Sequence, residues 1–253
     1  MRVERSAVNG VLVREVMNFG TFWRSSTFSA IVQPIVYLLA FGFGFGALVN
    51  EVGGVPYIEF VAIGTVATAV LFSSIFSGIF GTLVKWKYQR TYDALLAAPV
   101  SVEEIVSAES LWTGFRSGVY GVAPLVVAFF FGLDPSWGML LVPAIGTLAG
   151  FGLTAAGILI AALVESFDNT SYVQSLLITP MFLLAGTFFP IDELPQWAQV
   201  ASQLNPLYHC VELVRGAAFG FVLADLWHTA ALIIFGAVMW RLAVWRLDRR
   251  LID

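Results

Sequence analysis

Residues that could carry catalysis are few in this chain of 253 residues, and they form no catalytic motif. Its two lysines, Lys85 and Lys87, neither follow a glycine nor precede Ser or Thr, so there is no P-loop to hold nucleotide phosphates. His209 and His228 lack the spacing of a zinc hydrolase, and Cys210, the single cysteine, excludes an internal disulfide and argues against a cysteine-based zinc site. We therefore predict a non-enzyme with no catalytic residue, no metal site and no cofactor of its own.

Three charged residues lie in or near the ends of apolar stretches: Glu59, Glu109 and Arg116. A charge inside a bilayer is costly, so such residues usually face a partner or a wet cavity. Glu109 and Arg116 are seven positions apart on one helix face, so Arg116 could pair with Glu109 through water or with another helix. The same face could equally be a polar pathway, whereas Glu59 could simply reach the outer surface.

These charges are exceptions in a very apolar chain. Apolar residues make up 58% of it and charged residues 12%, against about 45–50% and about 25% in a soluble domain. A water-soluble domain of this length could not cover so much apolar surface, and a disordered chain is excluded by the same composition. The net charge of −4 offers no basic face to nucleic acid. We predict an all-α integral membrane protein.

Six apolar stretches are long enough to cross a bilayer, which takes about 20 helical residues. They lie at about 27–49, 57–84, 105–131, 138–164, 171–190 and 226–247. Residues 1–25 are expected to form an amphipathic helix in the inner interface, although Glu15 interrupts its apolar arc. The alternative is that they only lead into the first span. Residues 1–253 thus form a single transmembrane domain (six spans within 27–247) with a tail at 248–253.

The basic residues predict the orientation of the spans. Eleven of the 13 lie before the first span, between the second and third, or at the C-terminal end of the chain: Arg2, Arg5, Arg14, Arg24, Lys85, Lys87, Arg90, Arg241, Arg246, Arg249 and Arg250. Because loops rich in Lys and Arg stay in the cytoplasm, we expect both termini to be cytoplasmic.

The cytoplasmic segment between the second and third spans predicts a short amphipathic helix. Its apolar side chains follow the helical spacing i, i+4, i+7 and i+8: Tyr88, Tyr92, Leu95 and Leu96. Pro99 ends this helix, and Ser101 with Glu104 forms a capping box for the next one. The apolar face needs a cover, which could be lipid head groups or a groove in a soluble partner.

The outer segment between the fifth and sixth spans predicts two short re-entrant helices. Pro195 suits a first helical turn, Asn205 and Pro206 break the helix, and the second piece runs from Leu207 to Arg215. Each is too short to span and is expected in the outer leaflet. The candidate residues are Trp197, Tyr208, Glu212 and Arg215, with the last two spaced for an i, i+3 ion pair. They could cap the outer end or form a gate for a substrate head group.

Taken together, these segments resemble the membrane subunit of ABC-2 type exporters over nearly the whole chain. One anchor is the outer pattern, with F-F-P at 188–190, L-P at 194–195, N-P-L at 205–207 and V-E-L-V-R at 211–215. The other is L-L-A-A-P-V-S at 95–101. Within that family, the chain is most similar to permeases that export lipo-oligosaccharides and lipid-linked polysaccharides, of the nodulation-factor and O-antigen type.

The resemblance implies a multi-pass permease of the bacterial plasma membrane that exports a lipid-linked glycan or glycolipid. Two permease copies, expected to be identical, would form the pathway, and two copies of a separate ATPase would bind ATP and Mg²⁺ and drive it. The helix around 85–98 would be the coupling helix, with the N-terminal helix as a second ATPase contact. The implied coupling residues are Lys87, Tyr88, Arg90, Tyr92, Asp93, Leu95, Leu96, Glu103 and Glu104. Replacing Tyr92 and Leu95 by Asp is then expected to abolish transport but not membrane insertion.

Other functions stay open beside this one. An ABC-2 exporter of hydrophobic drugs or lipids fits as well, because the 22 phenylalanines suit lipid and sugar rings alike. A secondary transporter should show inverted repeats with broken helices, and the halves 27–131 and 138–247 show no obvious match. A lipid-modifying membrane enzyme would need clustered acid, base or metal residues near one membrane face, and no such cluster is evident.

Overall fold

The computed structural model describes residues 5–252, and within them it is predominantly α-helical, which confirms the all-α class. The α-helices are α1 (Arg5–Gly44), α2 (Tyr57–Leu83), α3 (Thr91–Leu96), α4 (Val102–Tyr120), α5 (Val122–Phe129), α6 (Val142–Leu163), α7 (Asn169–Val173), α8 (Thr179–Leu183), α9 (Gln196–Gln203), α10 (Pro206–Phe219) and α11 (Asp225–Ile252). A small antiparallel hairpin, β1 (Glu51–Val52) and β2 (Val55–Pro56), joins α1 to α2. The ends of the predicted N-terminal helix and C-terminal tail, residues 1–4 and 253, lie outside the described residues.

Three helical segments of the described chain are long and apolar enough to cross a membrane. They are Tyr57–Tyr88, Trp137–Leu163 and Asp225–Leu251, and they correspond to the second, fourth and sixth predicted spans. The first of them continues α2 through a π-helical turn, Val84–Tyr88. The count of six spans stays a prediction.

The N-terminal helix and the first predicted span form one continuous helix instead of two elements. α1 runs through residues 25–27 without interruption, and polar side chains near this point bond back to their own helix. Thr21 Oγ1 donates to the carbonyl of Asn18 and Ser25 Oγ to that of Phe22. The expected boundary between an interfacial helix at 1–25 and a separate span is therefore absent.

The third and fifth predicted spans are also less regular than expected. The third is divided into α4 and α5 at Gly121, because Pro124 lacks the backbone N–H that would bond to the preceding turn. The fifth is helical from α7 through a π-helical turn to α8, and α8 ends at Leu183 instead of residue 190. Gly186 follows with φ of +77°, a conformation that favours glycine and turns the chain.

Glycines allow α4 and α6 to pack with their backbones in close contact. A Cβ atom added at Gly118 would lie 2.3 Å from the carbonyl oxygen of Pro143, and one at Gly146 would lie 2.8 Å from the Cα of Gly118. Gly114 and Gly150 meet in the same way one turn further along. These are small-xxx-small pairs on both helices, the arrangement that lets membrane helices approach closely.

A cluster of apolar side chains holds α3 against the ends of α4, α6 and α11. Tyr92 is its largest member, and it packs with residues of α4, α6 and α11: Val102, Ile105, Val106, Ile158, Ala162, Ala243, Val244 and Leu247. The short helix after α2 is thus anchored to the helix bundle.

Candidate functional site

The connection between α2 and α4 is built by two local devices. Arg90 precedes α3 with φ of +53°, a left-handed conformation that reverses the chain. Ser101 begins α4 with the predicted capping box: its Oγ accepts from the N–H of Glu104 at 3.3 Å, and its own N–H donates to Glu104 Oε2 at 2.8 Å. α3 ends at Leu96, before Pro99, as predicted.

Part of the apolar face of α3 packs against the chain itself. Tyr92 is 0% exposed, and Leu95 and Leu96 are half-buried in the same apolar cluster. Exchanging Tyr92 for Asp would therefore place a carboxylate in the core. The expectation that the variant of Tyr92 and Leu95 loses transport but still inserts stays a prediction. Burying an unpaired charge is also expected to destabilise the fold of that variant.

The predicted coupling residues divide into exposed and internal ones. Tyr88 is 69% exposed, and Arg90 and Asp93 are exposed as well. The side chains of Arg90 and Asp93 form an ion pair at 3.3 Å. Lys87 is half-buried and donates to the carbonyl of Glu165 in the loop before α7. Glu103 is half-buried, and the carboxylate of Glu104 is used in the capping box.

A cluster of buried charges, here termed the inner clamp, joins α1, α2, α3 and α4. Lys85 Nζ lies 2.9 Å from Glu15 Oε2 and 2.9 Å from Glu109 Oε1. Tyr92 donates its hydroxyl to the other oxygen of Glu109 at 2.9 Å, and Arg14 pairs with the other oxygen of Glu15 at 2.8 Å. Each buried charge thus has partners within the chain.

Burial of the Tyr92 hydroxyl, with the nearby Glu109 carboxylate as the second cause, raises the pKa of Tyr92 well above its usual value. The phenol therefore stays protonated at neutral pH and remains a hydrogen-bond donor. Through this bond, a displacement of α3 acts directly on the carboxylate that holds Lys85.

Sequence reasoning missed two members of the inner clamp. In the sequence, Glu15 interrupts an apolar arc, and Lys85 helps to orient the spans and begins the implied coupling helix. A signal was available: Glu15 is a lone carboxylate on an apolar face, and such a residue requires a cation from another element. Which cation it meets, 70 positions away, depends on the packing.

Arg116 does not pair with Glu109, although the two share a helix face. Arg116 Nη2 donates to Ser77 Oγ on α2 at 2.7 Å, which agrees with the alternative of a contact to another helix. Its guanidinium lies 5.3 Å from the ring centre of Phe19 and 6.0 Å from that of Tyr120. Among the described residues, no carboxylate lies within ion-pair distance of Arg116.

At the opposite end, Arg215 ties α10 to its neighbours. It forms the expected i, i+3 ion pair with Glu212 at 2.7 Å, donates to the carbonyl of Gly186, and stacks 4.0 Å from the ring centre of Phe60 on α2. The side chain is thus engaged by three elements, which is the geometry of a cap on this end of the bundle.

The other outer candidates are less constrained. Tyr208 is half-buried, with its hydroxyl 3.5 Å from Gln203 Nε2, and Trp197 is 70% exposed. Glu59 is half-buried in the first turn of α2, where the helix dipole favours a carboxylate. His209 meets His228 of α11 with 2.7 Å between the Nδ1 atoms.

A chain of aromatic rings connects the two ends of the molecule. Neighbouring ring centres are 4.2 to 6.0 Å apart along the series Tyr88, Phe167, Phe80, Phe76, Phe72, Phe182, Phe188, Phe41 and Phe45. This series is termed the aromatic track. It follows α2 from the connection to α3 and continues through α8 to the end of α1.

Comparison with known proteins agrees with this architecture. A family profile described as ABC-2 type transporter matches residues 8–219. Nodulation protein J of Sinorhizobium fredii (strain NBRC 101917 / NGR234) is 34% identical over 242 residues, which cover 91% of this chain and 90% of the relative. Nodulation protein J of Rhizobium leguminosarum bv. trifolii is 31% identical, with 91% and 90% covered. The inner membrane transport permease YadH of Escherichia coli (strain K12) is 26% identical, with 96% and 95% covered.

The family match extends over most of the chain and includes both the inner connection and the outer helices. Relatives above 30% identity cover nine-tenths of the chain, and their length is similar to that of this protein. The chain therefore belongs to the ABC-2 type transporter family, as one of its membrane permeases.

Proposed function

We propose that this permease exports a lipid-linked oligosaccharide, polysaccharide or glycolipid across the bacterial inner membrane. Permeases of this family work with an ABC ATPase partner, and in our proposal two ATPase copies drive two identical permease copies. Both termini lie in the cytoplasm. The resemblance to lipo-oligosaccharide and polysaccharide exporters supports the substrate class, and so does the similarity to Nodulation protein J.

The aromatic track is the observation that carries this proposal. The apolar faces of sugar rings stack on aromatic side chains, and a series of such rings provides many weak, equivalent contacts. Several rings of the track are exposed or half-buried, including Tyr88, Phe80, Phe76 and Phe45. A glycan can therefore advance from ring to ring without binding tightly at one position.

The ATPase contact is assigned to the exposed side of the α2–α3 connection. Tyr88, Arg90 and Asp93 offer an aromatic ring and both charge signs to a docking groove. The buried side of the same connection is attached to the inner clamp through Tyr92. Movement of the ATPases would thus reach α1, α2 and α4 together.

A second candidate substrate is a small hydrophobic drug or lipid. An apolar cavity of about 530 Å³ lies between α6, α8, α9 and α11, with Leu153, Met181 and Phe235 in its wall. A cavity of this size and polarity can hold an acyl chain or an apolar drug. This site is separate from the aromatic track.

Substrate class is tested with inside-out membrane vesicles that contain the permease and its ATPase. We expect ATP-dependent uptake of a fluorescent lipid-linked oligosaccharide. Replacing Phe72 and Phe76 together by Leu should lower the uptake rate at least ten-fold. The matched control is Phe115→Leu, which removes an exposed ring on α4 outside the track. It should leave the uptake rate unchanged. Equal uptake in all three proteins, or uptake of drugs alone, would contradict a glycan pathway.

The docking assignment is tested by copurification. Exchanging Tyr88 for Ala and Asp93 for Lys should abolish ATPase retention while leaving the amount of folded permease unchanged, because both side chains are exposed. The control is Trp197→Ala, an exposed aromatic at the other end. Normal retention by the double variant would refute this docking face.

A further inference from the structure

Two polar cavities meet at Arg116, between α1, α2 and α4. One, of about 330 Å³, is bordered by hydroxyl groups that include Ser26, Ser29 and Ser73. The other, of about 470 Å³, extends toward Lys85 and Gln89 at the inner connection. Both are lined by Arg116 and Ser77, so the guanidinium lies where one cavity passes into the other.

Arg116 has little to neutralise it. Of its five N–H donors, the hydrogen bond to Ser77 uses one, and the buried Nε has no partner among the described residues. Glu15 borders the lower cavity, but its two oxygens are already bonded to Arg14 and Lys85. A charged guanidinium with free donors toward a wet cavity is the usual form of an oxyanion site.

The site lies deeper in the helix bundle than the inner clamp, and the lower cavity leads to it from the connection that the proposed orientation places in the cytoplasm. Arg116 is seven residues along α4 from Glu109, which places it about 10 Å beyond the inner clamp. The lower cavity begins beside Gln89 at the cytoplasmic connection. Phe72 and Phe76 of the aromatic track line the upper cavity, so a molecule held at Arg116 would also touch the track.

We propose that Arg116 and the surrounding serine hydroxyls form a binding site for an oxyanion, a phosphate, sulfate or carboxylate carried on the polar head of an amphipathic molecule. The guanidinium supplies the charge and the directed N–H groups, and the hydroxyls of Ser26 and Ser29, which line the upper cavity, can donate to the oxyanion. Ser73 and Ser77 already donate their hydroxyl protons to backbone carbonyls one turn earlier, so their oxygens can only accept, from donor groups elsewhere on the head group. As a site for the exported substrate, this inference rests on the proposed function; as an oxyanion site it does not.

The test is binding by the purified permease–ATPase complex in a neutral polyoxyethylene ether detergent, so that no maltoside is present before the probes are added, followed by native mass spectrometry and calorimetry. The probes are dodecyl phosphate, inorganic phosphate and dodecyl maltoside. We expect saturable dodecyl phosphate binding, at one molecule per permease, that weakens at least ten-fold in Arg116→Gln and less in Arg116→Lys. Arg241→Gln, which removes an exposed arginine, should bind like the unchanged protein.

The three probes distinguish a free oxyanion, an amphiphile with an oxyanion and an amphiphile without one. Inorganic phosphate that binds and competes with dodecyl phosphate would support a site for free oxyanions, whereas binding of dodecyl phosphate alone would support one that requires the amphiphile. Equal binding by Arg116→Gln and the unchanged protein, or equal competition by dodecyl maltoside, would overturn the proposal. ATPase retention in the same samples shows that Arg116→Gln is folded. A complex that binds dodecyl phosphate but transports no glycan would refute the exporter function and leave the oxyanion site standing.

Discussion

Lys85 and Arg116 are two cations that line the same cavity between α1, α2 and α4. They differ in the number of carboxylates that they contact. Lys85 meets two carboxylates at 2.9 Å each, whereas Arg116 meets one serine hydroxyl at 2.7 Å. About 10 Å separates the two levels along α4. The same three helices, α1, α2 and α4, surround both.

The difference separates a structural charge from one available to a ligand. At Lys85 the chain supplies two counter-ions, so the cation joins α1 and α4 to the end of α2 and its charge is already neutralised. At Arg116 the chain supplies a cavity and hydroxyl groups but no anion among the described residues. Removing the first cation should harm the fold, whereas removing the second should harm binding.

The largest effect is expected from Lys85→Met. This change leaves Glu15 and Glu109 buried without their shared cation, and breaking a buried pair costs about 3–5 kcal/mol. Thermal unfolding in detergent should therefore occur at a much lower temperature than in the unchanged protein. Arg241→Met, at an exposed position, is the control and should not change it.

A triple variant sharpens the same comparison. Combining Lys85→Met with Glu15→Gln and Glu109→Gln removes the uncompensated charges, so a large part of the lost stability should return. A triple variant as unstable as Lys85→Met alone would mean that the lysine acts by packing and that the clamp is not electrostatic.

The next effect is expected from Tyr92→Phe. Losing the hydrogen bond to Glu109 should lower the free energy of unfolding by about 1.5–3 kcal/mol, because the acceptor is charged. Tyr88→Phe, at an exposed ring, is the matched control. If both variants unfold at the same temperature, Tyr92 does not link α3 to the clamp.

A smaller effect is expected from Gly118→Ala, which tests whether α4 must lie close to α6 to hold both cations in place. The new Cβ would lie 2.3 Å from the Pro143 oxygen, and overpacking of this kind costs about 1–3 kcal/mol. Gly81→Ala is the matched control, since its Cβ would meet nothing within 4 Å, and it should stabilise α2 by about 0.5–1 kcal/mol. Equal unfolding temperatures of the Gly118→Ala and Gly81→Ala variants would argue against the close approach of α4 to α6.

The smallest effect on stability is expected from Arg116→Met. With no ion pair to break among the described residues, the free energy of unfolding should change by less than about 1 kcal/mol, in either direction. A loss as large as that of Lys85→Met would show that Arg116 is also a structural charge, and the contrast between the two sites would be wrong.

Local features of this protein were predictable because they depend on near neighbours. The capping box of Ser101 and Glu104, the end of α3 before Pro99 and the ion pair of Glu212 with Arg215 all lie within a few residues. For Arg116 the sequence leaves two partners open, Glu109 through water or another helix. The structure agrees with the second, since Arg116 bonds to Ser77 of α2, while Glu109 meets Lys85 of the π-helical turn that follows α2.

By itself, the sequence determined a helical membrane protein, and it indicated which segments are short and where they cap. Tertiary structure alone decided that Glu15 and Lys85 meet, that Tyr92 is internal, and that Arg116 faces a cavity. The physical reason is range: helix spacing and capping act over a few residues, whereas the neutralisation of a buried charge depends on which helices pack together.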